Sequence, residues 1–285
     1  MPTWDEAAVA AAAKRLRLGL DPRRRRQGAG TRLGSGPGAS MEFHDHRAYL
    51  PGDDLRHLDW GVFARSDQLV LRRHRVEVSP VLELLLDTSL SMQAYPQKFS
   101  HAAALVALLG TLAEMDGSRP RIWALGDGPR RLGGAGGSQA WRSELRALTC
   151  IGVAGPSGKP PPLQAGSDRL LISDGLTPEG GAAVVRHLGA GAGRVSLLQI
   201  LTNAERSPVP LGAVRLEDVE GGALDLVHDE AMCSAYRERF ARHQSGWQAA
   251  LSGRGSGVVI CSVDEGLDGS VAALVKCNVV EARTM

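Results

Sequence analysis

Nowhere does the chain approach the roughly 18 to 20 consecutive apolar residues needed to cross a bilayer. Its alanine-rich start, "AAVAAAAKRLRL", runs into charge with no small-residue cleavage site behind it. The expectation is a cytoplasmic protein. Cysteine is scarce too: Cys150, Cys233, Cys261 and Cys277 are too widely spaced for a CxxC metal knuckle, which points to buried thiols rather than zinc or disulfides. Aromatics make up only 4% of the sequence. None interleaves with the densest basic run, Arg23 to Arg26 in "PRRRRQGAG", so that run reads as a solvated loop more than a nucleic-acid surface.

Several enzyme signatures are missing. The glycine loop at 28–40, "GAGTRLGSGPGAS", lacks the lysine and the preceding strand of a phosphate-binding loop. In "GPSGKP" the proline denies the helix that such a loop must open. No GxSxG elbow occurs. A phosphatase with an aspartyl nucleophile wants a second acid two residues after Asp87, and Ser89 stands there.

What the chain does have is 285 residues, 43% of them apolar, with 35 glycines and 15 prolines. That suits a loop-rich α/β protein of one large domain, or one domain with an extra module. The net charge of +2 hides a basic front, where Lys and Arg outnumber Asp and Glu up to residue 80, and a mildly acidic remainder.

Thr3 and Glu6 have capping-box spacing ahead of strong helix formers, which predicts a helix over about 4–18, stopped by Gly19 and Pro22. From Met41 to about residue 79 turn residues separate short extended stretches, an irregular, partly β extension without a core of its own. The rest alternates. Strand-like runs at 80–87, 121–125, 169–173, 194–200 and 257–263 are mostly apolar throughout, and helical patterns lie at about 98–115, 138–148, 179–189 and 229–251. Residues 214–228 read as a hairpin around Glu220-Gly221-Gly222. The predicted architecture is an open, mainly parallel α/β sheet flanked by helices at 80–285, preceded by a helix and extension at 1–79.

In such a sheet, ligands sit beyond the carboxyl ends of the strands, where the strand order reverses. The run "LELLLDTSLSM" ends a buried strand on Asp87 and sends Ser89 and Ser91 into the loop, and "RLLISDG" ends another strand on Asp174-Gly175. With a strand order of 3-2-1-4-5 the two aspartates become neighbours. Two carboxylates and two hydroxyls, with no histidine or thiol, suit a hard cation such as Mg²⁺ or Mn²⁺. Ser89 and Ser91 would be direct ligands, Asp87 would orient them, and Asp174 would act directly or through water. A cation left electrophilic by neutral hydroxyls would accept an acidic side chain from a partner. The plain alternative is a hydrogen-bonded turn that caps the next helix.

Asp87-Thr88-Ser89-Leu90-Ser91 matches the DxSxS of the metal-ion-dependent adhesion site in von Willebrand factor A domains, and "ISDG" is similar to that family's later Asp-Gly. The preceding "EFHDHRAYLPGDDLRHLDWGVFARSDQLVLRRHRVE", with its "Y-x-PGDD-x-R-x-x-DW" block, resembles the signature of a bacterial family, the domain of unknown function numbered fifty-eight (DUF58). The resemblance runs over roughly residues 25 to 285 and includes "DVEGG". It implies a von Willebrand factor A-like fold and a partnership with a MoxR-type AAA+ ATPase, beside which members are typically encoded. Two departures stand out. The adhesion site's usual threonine is missing from "GPSGKPPPLQAGSDR", Thr149 lying upstream, and the membrane helices that many relatives carry before this region are replaced by one short helix.

Other constellations have bland and sharp readings. In "YLPGDDLRHLDW", Asp53 and Asp54 bond backbone amides or pair with Arg56 or Arg65 as a clamp, or form with Trp60 a docking edge for a partner. His44 and His46 would share a face of an extended chain and could begin a zinc site with His57 or His74, although a hydrogen-bonding role is favoured. The leading expectation is a non-enzymatic interaction module with a divalent-metal adhesion site. The alternatives are a metal-assisted phosphate-ester hydrolase or nuclease using Asp87 and Asp174, and a metal-free scaffold.

Overall fold

A computed structural model describes residues 1–19, 41–51, 53–55, 58–76, 81–118, 120–134, 138–152, 155–219, 221–252 and 257–283. The chain forms two compact units, Met1–Gly19 with Val81–Met285, and Leu20–Pro80. The sequence reading divides the chain at 79/80 and puts the first helix with the extension. That helix instead belongs with the sheet.

That helix, α1 (Glu6–Arg15), is shorter than predicted, and its cap is Asp5 instead of Thr3. The Asp5 carboxylate accepts the amides of Ala7 and Ala8 at 2.8 and 3.2 Å. At Leu16 the backbone turns extended and becomes β1 (Leu16–Leu18), which pairs antiparallel with Val280–Ala282 near the other end of the chain. Val9, Ala12, Ala13, Leu16 and Leu18 are buried, so the opening segment lends its apolar face to the larger unit.

In the smaller unit, β2 (Met41–Ala48) pairs antiparallel with a later strand, Val70–Val76, with a register shift between Phe43 and Asp45. Between them α2 (Trp60–Ser66) is capped by Asp59, whose carboxylate accepts the amides of Gly61 and Val62. The sequence reading had no helix here. Val70–Val76 is β3. The side chains of His44, His46 and His74, residues Arg56 and His57, the Arg23–Arg26 run and the 28–40 loop lie outside the described residues.

The sheet of the larger unit begins with β4 (Leu82–Asp87), every residue of which is buried. There follow α3 (Lys98–Met115), β5 (Arg121–Leu125), β6 (Pro129–Leu132), α4 (Ser138–Arg146), β7 (Asp168–Ser173), α5 (Gly180–Gly189), β8 (Arg194–Leu201), the short α6 (Asn203–Arg206), the hairpin β9 (Gly212–Glu217) and β10 (Ala223–His228), α7 (Glu230–Leu251), β11 (Val258–Ser262), α8 (Gly266–Lys276) and β12 (Val280–Ala282). The strands lie in the order β11-β8-β7-β4-β5-β6. All neighbours are parallel except β6, which runs antiparallel to β5 at the edge. Counted along the chain the order is 3-2-1-4-5-6, with third place taken by the edge strand β6, which the sequence reading lacked, so β4 and β7 are central neighbours. Leu84 and Leu86 alternate with Leu85 across the sheet. Leu85 faces the layer made by α5 and α7, where Trp123, Leu171, Val184, Leu197 and Trp247 pack together. On α3, 14 residues are buried, because α1, α4 and α8 cover what the sheet leaves open.

Candidate functional site at the carboxyl ends of the central strands

Pairing of Leu86 on β4 with Ile172 on β7 puts the two strand ends side by side, so Asp87 and Asp174 emerge into one crevice as the sequence predicts. Both are only 1% exposed. Asp87 Oδ1 accepts the amide of Ser89 at 2.9 Å and Oδ2 accepts the Ser173 hydroxyl at 2.6 Å. The Ser89 and Ser91 hydroxyls lie 3.1 Å apart. Asp174 Oδ1 accepts the amide of Leu176 at 3.0 Å. The four residues singled out for a cation are therefore together.

Two more belong to the site. Lys98, the first residue of α3, is fully buried, and its Nζ donates to Ser91 O at 3.3 Å, Asp174 Oδ2 at 3.0 Å and Glu205 Oε1 at 2.5 Å. Glu205 closes the turn after β8: its Oε2 accepts the Thr202 amide and hydroxyl at 2.8 and 2.9 Å, while the Thr202 hydroxyl accepts the Glu205 amide. This is a capping box on a helix of one turn. Sequence reasoning missed both residues, though signals existed. Lys98 is the only cation in the apolar run "KFSHAAALVALLG", and "TNAE" has capping-box spacing.

Burial, then the nearby Asp174 charge, push the Asp87 carboxyl up to about 6, against the hydrogen bonds from Ser173 and Ser89 that favour its charged form. For Lys98, burial lowers the pKa, but the Asp174 and Glu205 carboxylates together outweigh it and hold the ammonium above its ordinary value.

The loop that should carry the adhesion-site threonine runs across the crevice. Ile151 N donates to Thr88 O and Leu90 N to Gly152 O. Thr149 is exposed, and the residue against Asp87 is Gly155, at φ 43°, where a Cβ would stand 2.8 Å from Asp87 Oδ1. The Asp-Gly turn after β7 is fixed from behind: Gln199 Nε2 donates to Asp174 O at 2.8 Å, and Trp247 Nε1 donates to Gly175 O at 3.0 Å.

The donor set does not fit a divalent cation as it stands. Each oxygen of Asp87, Asp174 and Glu205 already accepts a donor from the chain. The Ser89 and Ser91 hydroxyls bond each other, and an ammonium bonds both the Ser91 carbonyl and the Asp174 carboxylate. Among the described residues no group of three or more His, Cys, Asp or Glu side chains is arranged to hold a metal.

The crevice rim is aromatic and aliphatic. Leu176 is 49% exposed, Tyr95 37% and Tyr236 38%. The Tyr236 hydroxyl donates to Glu205 O at 2.7 Å, and burial and the Glu205 charge raise the pKa of both tyrosines. In the smaller unit Asp53 closes a turn, its Oδ2 accepting the Leu50 amide at 2.8 Å while its own amide donates to Leu50 O. Asp54 is exposed, and Trp60 is 60% exposed, edge-on to Phe63. All four cysteines are free, and only Cys277 is exposed. No described helix is long and apolar enough to cross a membrane.

Residues 45–249 match the family model described as "Protein of unknown function DUF58". Among curated relatives, "Uncharacterized protein Rv1480" of Mycobacterium tuberculosis and "Uncharacterized protein Mb1516" of Mycobacterium bovis are each 28% identical over 276 residues, covering 91% of this chain and 86% of theirs. Among solved structures, the conserved hypothetical protein BatB from Bacteroides thetaiotaomicron aligns over 70% of this chain and all of its own, with 17% identity and a TM-score of 0.40. An aerotolerance-related membrane protein from Bacteroides fragilis aligns over 70% of this chain and 99% of its own, with 17% identity and a TM-score of 0.35.

Proposed function

Since the chain belongs to the DUF58 family of proteins of unknown function, we propose that it is a non-enzymatic protein-interaction module that docks a partner on the rim of the strand-end crevice. The partner we propose is a MoxR-type AAA+ ATPase, the association that the family resemblance implies. One observation carries the reading: the charged groups Asp87, Asp174, Lys98 and Glu205 are all engaged within the chain, and what faces outward beside them is Tyr95, Leu176 and Tyr236. Exposed aromatic and aliphatic side chains around a rigid polar base suit recognition. Catalysis needs a reachable base, nucleophile or metal-bound water, and Asp87 and Asp174 are too buried to supply one, which weighs against the phosphate-ester hydrolase.

The exposure of Leu50, Leu55 and Trp60, at 60%, 55% and 60%, favours a second docking edge on the extension, with Asp53 shaping the turn and Asp54 at its border. The test is affinity between the purified protein and the purified MoxR-type ATPase of the same organism. Leu176→Asp and Tyr95→Ala should each weaken binding roughly tenfold or more while leaving the thermal midpoint in place. Unchanged affinity in both would sink the rim as the docking surface, and no binding by the wild type would sink the partner.

A further inference from the structure

We propose that Lys98 is the resident cation of the strand-end site: its ammonium stands where a divalent ion would have to bind, and the site is complete without metal. A lysine ammonium has three donors and no acceptor. All three are used, on Ser91 O, Asp174 Oδ2 and Glu205 Oε1. These acceptors come from three separate segments, the loop after β4, the end of β7 and the turn after β8. The lysine therefore ties together the three strand ends that form the crevice.

Its burial needs this explanation. An ammonium withdrawn from water without partners is among the costliest groups a fold can hold, and Lys98 is fully buried at the head of a helix whose other buried residues are mostly alanine, leucine and valine. Only the pair of carboxylates accounts for its position. A divalent ion entering between Ser91 and Asp174 would have to expel the ammonium or lie within a few ångströms of it, like charge against like charge in a dry site. The DxSxS pattern survives as a framework: the Asp87 carboxylate holds the loop through the Ser89 amide and anchors it to β7 through the Ser173 hydroxyl. An acidic side chain from a partner then has no metal to bridge to, and contact falls to the rim. The inference concerns the isolated protein and does not depend on which partner docks.

The test is made on the purified full chain. Calorimetric titration with Mg²⁺ and with Mn²⁺ should show no stoichiometric binding, and the thermal midpoint should be the same in either ion and in chelator. Binding of one ion, lost in Asp87→Ala, overturns the proposal. Independently, Lys98→Met should lower the thermal midpoint by roughly 10 °C, because two buried carboxylates lose their counter-charge. Lys98→Met combined with Glu205→Gln should be destabilised by less than the sum of the two single changes, since the second removes one of the uncompensated charges. Strict additivity would show that the ammonium is not balancing that carboxylate. If Lys98→Met does not fold, the wild-type titration decides alone.

Discussion

At the scale of single residues, Asp87 makes the sharpest prediction. Its carboxyl is raised from 3.8 to about 6, first by burial and then by Asp174. Between those pH values the folded protein keeps a proton that the unfolded chain has released, so this group's contribution to stability falls as pH rises and stays lost above about 6. The difference is on the order of 3 kcal/mol. Asp87→Asn cannot ionise. Urea denaturation of both proteins at pH 4 and pH 7 should move in the variant's favour by about that amount; an unchanged difference would mean that Asp87 is not held protonated. Gly155→Ala should cost about 1–2 kcal/mol, since the residue sits at positive φ and its new Cβ would meet Asp87 Oδ1 at 2.8 Å. Gly134→Ala, with nothing within 4 Å, is the control in the same melt. The aspartates and serines of the site were legible in the sequence because a strand end fixes where a following carboxylate goes. Lys98 and Glu205 were not, since a long side chain reaching from a helix start across to another strand leaves no short-range pattern.

Among the elements, the fully buried strands and α3 were read almost residue for residue, because a strand covered on both faces is a continuous apolar run and the boundaries coincide with charge or turn residues. The elements missed are those with weak signatures. Strand β6 is "PRRL", an edge strand with one buried apolar residue, and α8 carries two glycines in "GLDGSVAALVK". The helix expected at about 229–251, α7, is only half a core face: Trp247 and Leu251 are buried, while Met232 and Tyr236 are each 38% exposed. Trp247 is the anchor, packed in the sheet's second layer and bonded to the Asp-Gly turn. Trp247→Ala should cost about 3–5 kcal/mol by urea denaturation. Trp247→Phe should cost less by volume but still about 1 kcal/mol or more, because Gly175 O loses its indole donor. If the phenylalanine variant matched the wild type, that hydrogen bond would not be what fixes the turn.

For the whole molecule, the sequence reading divides the chain into 1–79 and 80–285, whereas Met1–Gly19 groups with Val81–Met285. In that reading the composition of the irregular segment sets the boundary near residue 80, but nothing local reveals that residues 1–19 cross back to the larger unit. That return depends on a pairing separated by almost the full chain, with Leu16, Arg17 and Leu18 opposite Ala282, Glu281 and Val280, reinforced by Gly19 N donating to Val279 O and Arg283 N donating to Arg15 O. The exposed Arg17–Glu281 ion pair across the ladder adds little in water. The apolar contacts matter more, since Val9, Leu16 and Leu18 are each at most 6% exposed and burial of such side chains is worth roughly 1.5–3 kcal/mol apiece. A chain beginning at residue 20 should therefore lose several kcal/mol, expose the α3 surface that α1 covers, and leave β12 without its partner. Hydrogen exchange would register this as lost protection at Val280–Ala282 with β4 still protected, because β4 takes its bonds from β5 and β7. Protection at β12 that survived the deletion would show that the opening segment is carried by the larger unit without helping to hold it together.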